Sequence, residues 1–337
     1  MNILSWGKRI FFGLIITILL LLIVGIIFEQ AFRARDAQVW PRHGEIVEIE
    51  GRKMHYVKKG EGGPTVVFEA GLDLSGHLSW AGLQEALSKK TTTLSYDRAG
   101  IQWSHPDEQL KTATSISKDL HAVLEKTGCP KPYILVGHSL AGATMRPFMT
   151  QHRADLAGVV WVDVSHPEQF ERMPPEMAAQ GPSEGQTRTA SGFGLLRLMG
   201  GDPLPGTQPA DSINQIMHAW THKSLEGVFA EFRSLDTIMA EAALHVDYDS
   251  LPLTVLTGTH PERFSSTPSS EVAAEMESLW PTLQKELLTL SSQSRHVLVP
   301  EAGHYIQLEH PEAVLAEIER MLAQSRTPAV SDSLDSP

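Results

Sequence analysis

Residues 133–142 read YILVGHSLAG, an apolar run that ends in a turn of small residues around a serine. The YILV part is apolar throughout, as expected of a strand buried on both faces of a parallel sheet. The GHSLA part, residues 137–141, nearly matches the G-x-S-x-G elbow, where a serine occupies a strained turn between a strand and a helix. Ala141 replaces the second glycine, and alanine is the next smallest side chain. We therefore predict that Ser139 is a nucleophile.

Strand-like runs recur on both sides of this turn, and amphipathic stretches with helical spacing lie between them. The strand-like runs are EIVEIE at 45–50, KMHYVKK at 53–59, TVVFEAG at 65–71, TTTLSYD at 91–97, YILVG at 133–137, GVVWVDV at 158–164, LTVLTG at 253–258 and RHVLVP at 295–300. Strands that alternate with helices at this spacing predict an α/β fold, with a parallel sheet and helices on both faces.

The alternation stops for more than eighty residues after Val164. Residues 181–206 are rich in Gly, Pro, Ser and Thr, and helical spacing returns at 213–220 and 225–244. We predict a mostly helical cap insertion at about 167–250, above the carboxyl ends of the strands. The domain that contains it is predicted over residues 44–325, followed by a disordered polar tail at 326–337.

Residues 10–28 read IFFGLIITILLLLIVGIIF, 19 residues without a charge. That length suits a helix that crosses a bilayer core. A cleaved secretory signal has an apolar region of about 7–15 residues and an Ala-x-Ala-like site, and neither is present here. We predict an uncleaved transmembrane signal anchor, with a cytoplasmic segment at 1–9 before it and a connector at 29–43 after it.

Charge bears on both orientation and partners. Lys8 and Arg9 precede the apolar run, whereas Arg33 and Arg35 follow it and are partly offset by Glu29 and Asp36. This small bias predicts a cytoplasmic amino terminus and an extracytoplasmic catalytic domain. The net charge of −12 includes +2 from residues 1–36, which leaves −14 for the rest. Such an acidic chain is not expected to bind nucleic acid, or to be drawn to anionic lipid except through its helix.

A serine hydroxyl needs a base within hydrogen-bond reach. Among 15 histidines, His304 follows the last strand-like run, which places it on the same sheet edge as Ser139. His138 is adjacent to Ser139 but would point away from it, so it is interpreted as a packing residue. His310 opens the final helix and is assigned to packing or solvation. The single Cys129 excludes an internal disulfide and a cysteine-based metal cluster.

Two acids compete for the third role. Asp163 ends the strand-like run that follows the elbow helix, and Glu262 follows the next run, one place after Pro261. Pro261 stands where an aspartate is often found. We favour Asp163 and keep Glu262 as the alternative.

An oxyanion requires two backbone N–H groups aimed at one point. The N–H of Leu140, directly after the serine, is one candidate. The loop after the TVVFE run supplies the other, with Leu72 preferred because Gly71 lets the backbone approach closely. Asp73 and His77 in that loop either line the pocket or cap the following helix.

Four motifs in order resemble those of the α/β-hydrolase superfamily over residues 44–325. They are EAGLD at 69–73, SYDRAGIQWS at 95–104, GHSLAG at 137–142 and EAGHYIQLEHPE at 301–312, and a membrane-anchored bacterial branch resembles the chain more closely. The resemblance implies an eight-stranded, mostly parallel sheet, a helical cap and a Ser-acid-His mechanism on ester-like substrates. The chain departs from the family pattern at Glu69-Ala70, Gln102, Ala141 and Pro261.

The sequence therefore predicts a membrane-anchored serine hydrolase that cleaves a carboxylester or thioester through an acyl-enzyme, with no metal or cofactor. Because the nucleophile is serine, dehalogenase and epoxide hydrolase chemistries are not expected. An aminopeptidase or amidase is one alternative, in which Glu226 or Glu231 would bind a free amine. A non-catalytic membrane-tethered binding protein is the other. The substrate is a small molecule whose binding residues are not predicted; cap residues with acyl-pocket or core character are Trp220, Phe229, Phe232 and Met239.

Overall fold

The computed structural model describes residues 3–177, 183–208 and 210–326. Most of the tail predicted at 326–337, and the first two residues of the predicted cytoplasmic segment, lie outside the described residues. Eight strands form one sheet in the order β1-β2-β4-β3-β5-β6-β7-β8. The strands are β1 Glu45–Ile49, β2 Arg52–Lys59, β3 Thr65–Glu69, β4 Thr93–Tyr96, β5 Tyr133–His138, β6 Leu156–Val162, β7 Leu253–Gly258 and β8 Ser294–Val299.

Strand β2 pairs antiparallel with both β1 and β4, whereas every other neighbouring pair in the sheet is parallel. The carboxyl ends of β5, β6, β7 and β8 therefore meet at one edge. The eight-stranded, mostly parallel sheet expected from the sequence is confirmed.

Helices connect the strands and cover both faces of the sheet. They are α1 Ile3–Val39, α2 Ala81–Leu87, α3 Ala113–Lys126, α4 Ala141–Thr144, α5 Arg146–Gln151, α6 Gln169–Arg172, α7 Glu184–Gly192, α8 Leu195–Met199, α9 Ser212–Arg233, α10 Leu235–Ala242, α11 Ser270–Glu286, α12 Ile306–Glu309 and α13 Pro311–Arg326. Single 3₁₀ turns lie at Gly76–Trp80, Arg153–Asp155, Pro175–Met177 and Leu287–Leu290.

Alternate residues of the central strands belong to two separate apolar clusters, because successive side chains of a strand point to opposite faces. In β5, Leu135 packs in one cluster with Leu120 of α3 and Phe148 of α5. Its neighbour Val136 packs in the other cluster with Ile318 of α13. This two-sided burial explains why the strands are apolar along their whole length.

The first helix runs without a break from Ile3 to Val39, so most of the segment predicted as a connector is helical. Its most apolar 18-residue part has a mean hydropathy of 3.3 and none of it is buried within the protein. By length and composition the helix is able to cross a membrane. Between β6 and β7 the described residues form α6 to α10, which is the region predicted to be a helical cap.

Candidate active site

Ser139 lies at the turn between β5 and α4, and its φ of 52° is a strained value for a residue with a side chain. The turn is tight on both sides. A Cβ on Gly137 would lie 2.7 Å from Cβ of Ala141, and a Cβ on Gly142 would lie 2.6 Å from Cβ of Val164. Glycine is therefore needed at 137 and 142, whereas position 141 accepts alanine.

Three predicted side chains form one hydrogen-bonded chain at the carboxyl edge of the sheet. Ser139 Oγ lies 3.0 Å from His304 Nε2, and His304 Nδ1 lies 2.7 Å from Asp163 Oδ2. Since a carboxylate only accepts hydrogen bonds, Nδ1 carries the proton and Nε2 has the lone pair that faces the serine. The geometry matches a nucleophile, a base and an acid that orients the base.

Asp163 is fully buried and accepts further hydrogen bonds besides that from His304. Its Oδ1 accepts from the N–H of Gly258 at 3.1 Å and from Trp280 Nε1 at 3.0 Å. Arg263 bridges both oxygens, at 3.2 Å to Oδ1 and 2.6 Å to Oδ2. Burial alone raises the pKa of Asp163, but the charge of Arg263 and the hydrogen bond from His304 outweigh it and lower the pKa to about 2.

Glu262, the alternative acid, has no described contact with His304; its N–H donates to the ring of His260. The next residue, Arg263, is the one that reaches Asp163. The role of Arg263 was not predicted from the sequence, because it depends on the path of the loop after β7. A cation close to a candidate acid in sequence is the signal that was available.

The loop after β3 lies directly beside the nucleophile. A Cβ on Gly71 would lie 2.9 Å from Cβ of Ser139, so this loop approaches the serine as closely as backbone can. Within the described residues, the N–H groups of Leu72 and Leu140 donate no hydrogen bond to the protein. Leu72, Leu140 and Met239 of α10 belong to one apolar cluster.

Arg98 holds this loop from behind. Its guanidinium donates to the carbonyls of Ala70 and Gly71 at 2.5 and 2.7 Å, and to both carboxylate oxygens of Glu231 at 2.7 Å each. Glu69 adds hydrogen bonds from Tyr96 and Thr144. Burial outweighs these partners and raises the pKa of Glu69. The network joins β3, β4, α4 and α9 behind the loop, and its role was not predicted from the sequence.

The two acids considered for amine binding differ in their surroundings. Glu231 is buried and paired with Arg98, so its carboxylate is not available to a ligand. Glu226 is exposed and lines a separate surface cavity of about 680 Å³ that Lys53, Trp103 and other residues share.

For Asp73 and His77, in the loop after β3, the sequence allowed two roles, lining the pocket or capping a helix. Asp73 Oδ1 accepts from the N–H and hydroxyl of Ser75 and from the N–H of Gly76, so it holds the backbone that leads into the 3₁₀ turn Gly76–Trp80. Its Oδ2 is buried and has no described partner, and burial raises the pKa of this carboxyl. The ring of His77 is hydrogen-bonded to Asp97, with 2.7 Å between Nδ1 and Oδ1.

The loop that carries His304 is fixed on both sides of the imidazole. Glu309 accepts from the N–H of Gly303 at 2.7 Å and from that of Tyr305 at 3.1 Å. His138 Nε2 donates to the carbonyl of His304 at 2.9 Å. Burial lowers the pKa of His138 to about 3, so this ring is neutral and orients the loop. His310 is half-buried, and its Nδ1 lies 3.0 Å from Glu312 Oε1.

Of the aromatic and methionine cap residues, those that are buried pack within the protein. Trp220 of α9 packs edge-on to Trp103, with ring centroids 5.7 Å apart. Met239 is buried near Leu140, whereas Phe229 is half-buried and Phe232 is exposed.

One buried group could in principle ligate a metal, since His55, His77 and Asp97 have ligand atoms within 4.8 Å of one another. Its atoms are engaged, because His55 Nδ1 and His77 Nδ1 lie 2.8 and 2.7 Å from the two Asp97 oxygens. Burial by itself raises the pKa of Asp97, but the two imidazoles outweigh it and hold the pKa well below its usual range. A second, more exposed group is His166, Glu168 and Glu286.

A family model described as "Alpha/beta hydrolase family" matches residues 66–317. That range includes β3 except its first residue, the strands from β4 to β8, and Ser139, Asp163 and His304. The chain belongs to the alpha/beta hydrolase family. This hydrolase is 27% identical to the YqjL protein of Bacillus subtilis over 79% of its own length and 87% of that protein. The chain is also 34% identical to the probable transporter efuK of Hormonema carpetanum, but this match covers only 17% of that protein. It is 24% identical to YbdG of Bacillus subtilis over 50% of that protein.

Solved structures share the fold of this α/β hydrolase. The Cif epoxide hydrolase from Acinetobacter nosocomialis aligns with a TM-score of 0.66 at 19% identity, over 88% of this chain and 96% of that one. A thermophilic esterase from Thermogutta terrifontis aligns with a TM-score of 0.59 at 20% identity, over 84% of this chain and 100% of that one. An enol-lactonase from Burkholderia xenovorans LB400 aligns with a TM-score of 0.60 at 20% identity, over 83% of this chain and 100% of that one. The sequence-based prediction that the protein is a hydrolase of the α/β-hydrolase family is therefore confirmed.

Proposed function

We propose that this chain is a membrane-anchored serine hydrolase that cleaves a carboxylester or thioester of a small molecule through an acyl-enzyme. The observation that carries the proposal is the hydrogen-bonded chain from Asp163 through His304 to Ser139, a serine with strained backbone at the elbow.

In this mechanism Ser139 Oγ attacks the carbonyl carbon while His304 Nε2 takes the hydroxyl proton. The imidazolium then gives that proton to the leaving oxygen or sulfur. Asp163 keeps Nδ1 protonated throughout and stabilises the imidazolium by its charge. Water activated by His304 attacks the acyl-enzyme in the same way and restores the serine.

The N–H groups of Leu72 and Leu140 are proposed to bind the oxyanion. Two observations support this role: both donors are free among the described residues, and Gly71 brings the loop of Leu72 against Ser139. Preorganised donors of this kind usually make the largest single contribution to lowering the barrier in such sites.

Serine at the nucleophile position supports ester rather than epoxide chemistry, although an epoxide hydrolase is among the proteins of similar fold. The pairing of Glu231 with Arg98 removes one of the two carboxylates that the amidase alternative invoked. The esterase and enol-lactonase among the structural neighbours act, by their names, on the class of bond proposed here.

The test compares Ser139→Ala with Ser117→Ala in the full-length protein in detergent. Ser117 is a buried serine of α3 whose hydroxyl has no described partner, so it controls for the loss of one buried oxygen. We expect Ser139→Ala to abolish hydrolysis of a short-chain p-nitrophenyl ester and labelling by a fluorophosphonate, and Ser117→Ala to retain both. Unlabelled wild-type protein would instead favour a non-catalytic binding protein.

We propose further that α1 is a signal anchor with the hydrolase domain on the extracytoplasmic side. Support comes from its exposed apolar surface and from Lys8 and Arg9 at its amino-terminal end. Beyond the apolar run, Arg33 is paired with Glu29 at 2.7 Å, which reduces the free positive charge on that side. Protease applied to intact bacterial spheroplasts should digest the hydrolase domain. Protection of the domain would show that it lies on the cytoplasmic side instead.

A further inference from the structure

One face of α8 carries apolar side chains that the described part of the protein leaves uncovered. Leu195, Leu198 and Met199 are 47%, 68% and 81% exposed. Residues three and four apart lie on the same side of a helix, so the three side chains form one patch. Single exposed leucines are ordinary, but a contiguous apolar patch indicates a contact surface.

Helix α8 is held against the end of the apolar run of α1. A Cβ on Gly25 would lie 2.7 Å from the carbonyl oxygen of Phe193, and a Cβ on Gly194 would lie 3.1 Å from the ring of Phe28. The backbone that leads into α8 therefore touches α1 at residues 25–28. This close approach requires the glycine that interrupts the apolar side chains of α1 at position 25.

Arg197, between the apolar residues of α8, anchors the helix to the polar part of α1. Its Nε lies 3.0 Å from Glu29, and its Nη1 lies 2.7 Å from Asp36, two helical turns further on. Both acids are buried by these contacts. Helix α8 is thus fixed at the boundary between the uncharged and the charged parts of α1.

The position of this boundary along α1 sets the depth of the patch. At 1.5 Å per residue, the 19 uncharged residues span about 28 Å, close to the roughly 30 Å of a bilayer core. Gly25 lies about 5 Å from the end of that span. Ile26 and Ile27, at the same level, are themselves 43% and 63% exposed. A bilayer that covers these isoleucines also reaches the level at which α8 is attached.

We propose that Leu195, Leu198 and Met199 insert into the interfacial layer of the membrane that α1 crosses, so that α8 is a second membrane contact of the hydrolase domain. The inference rests on the membrane anchoring proposed above. A domain attached through α1 alone would be free to tilt, whereas two contacts hold it in one orientation. Behind α8, a cavity of about 420 Å³ lined by Glu29, Arg197, Leu74 and Leu225 among others would then lie close to the lipid surface.

The test uses an environment-sensitive NBD fluorophore on the full-length protein in phosphatidylcholine–phosphatidylglycerol vesicles. Cys129, the native thiol, is buried and is first replaced by alanine. Single cysteines are then introduced as Leu198→Cys on α8, Leu19→Cys on α1 and Leu244→Cys. Leu244 is the matched control, because it is 77% exposed but lies after α10, away from α8 in sequence. Lipids with a nitroxide near the headgroup or in the middle of the acyl chain report the depth.

We expect the fluorophore at 198 to be quenched at least twofold by the headgroup-proximal nitroxide and less by the mid-chain one. The fluorophore at 19 should show the reverse order, and that at 244 should be quenched by neither. Quenching at 19 without quenching at 198 overturns the second contact and leaves the anchor intact. Loss of quenching at 19 overturns the anchoring itself. A blue shift at 198 without lipid quenching would show that protein, such as a second copy, covers the patch, and would also overturn the proposal.

Discussion

Replacing Asp163 by asparagine tests the acid and its unusual partner Arg263 together. The asparagine keeps the size of the side chain but removes its charge. Its amide group can donate a hydrogen bond to His304 Nδ1, which then holds the lone pair, and Nε2 carries the proton. In that tautomer His304 cannot accept the proton of Ser139. We expect kcat to fall by about 10⁴.

The effect on stability follows from the same contacts. The pKa of Asp163 is about 2 in the folded protein against a usual 3.8, and at 1.36 kcal/mol per pH unit its charged form is stabilised by about 2 kcal/mol. Because the folded pKa is the lower one, this contribution is complete above about pH 4 and is lost as the pH falls toward 2. The variant also leaves Arg263, whose side chain is only 8% exposed, without its charge partner. We expect the free energy of unfolding at pH 7 to fall by about 3 kcal/mol.

The assay is urea denaturation followed by tryptophan fluorescence, combined with ester hydrolysis at a temperature where every variant is folded. Glu262→Gln is the matched control and should change stability by less than about 0.5 kcal/mol and leave the rate intact. The double variant Asp163→Asn/Arg263→Met should recover part of the stability and none of the rate. Retention of near wild-type activity by Asp163→Asn, together with loss in Glu262→Gln, would refute the assignment.

Three further changes address the network behind the site, the elbow and the buried histidine cluster. Glu231→Gln removes the charge partner of buried Arg98, and urea denaturation should show a free energy of unfolding lower by about 3 kcal/mol; a loss below about 0.5 kcal/mol would contradict the stabilising role of the Arg98–Glu231 pair. Gly142→Ala should cost about 1–3 kcal/mol and most of the activity because of its close contacts, whereas Gly82→Ala in α2, which meets nothing within 4 Å, should be neutral or stabilising. Asp97→Asn should lower stability at pH 7, and since the folded pKa is depressed, the difference from wild type should start to shrink below about pH 4 and continue to shrink down to about pH 2; a difference that is undiminished at about pH 2 would be inconsistent with this origin.

The sheet and the side chains at its edge were predictable because they depend on local pattern and on one geometric rule. Continuous apolar runs indicated buried parallel strands, and the carboxyl ends of such strands meet at one edge. Ser139 and His304 come shortly after such runs and Asp163 lies at the end of one, and the structure brings all three together. Their catalytic roles remain predictions.

The partners that surround these side chains were not predictable, since they depend on how loops fold back. Arg263 reaches Asp163 across 100 residues of sequence, and Arg98 reaches Glu231 across 133. The charged segment after the apolar run was interpreted as a connector for the same reason. Its acids at 29 and 36 pair with Arg197, more than 160 residues away, and the helix continues through them.

The position of the acid places a demand on the strand that lies between it and the base. Asp163 follows β6 and His304 follows β8, and β7 lies between these strands, so the loop that carries His304 has to cross the end of β7. The last residue of β7 is Gly258, and a Cβ there would lie 2.6 Å from the carbonyl oxygen of Ala302 and closer still to that of Gly303. Its N–H donates to Asp163, so the same residue opens the path for the imidazole and holds the acid in place. An aspartate at the end of β7 would need no such crossing, whereas an aspartate at the end of β6 requires a residue without a side chain at 258.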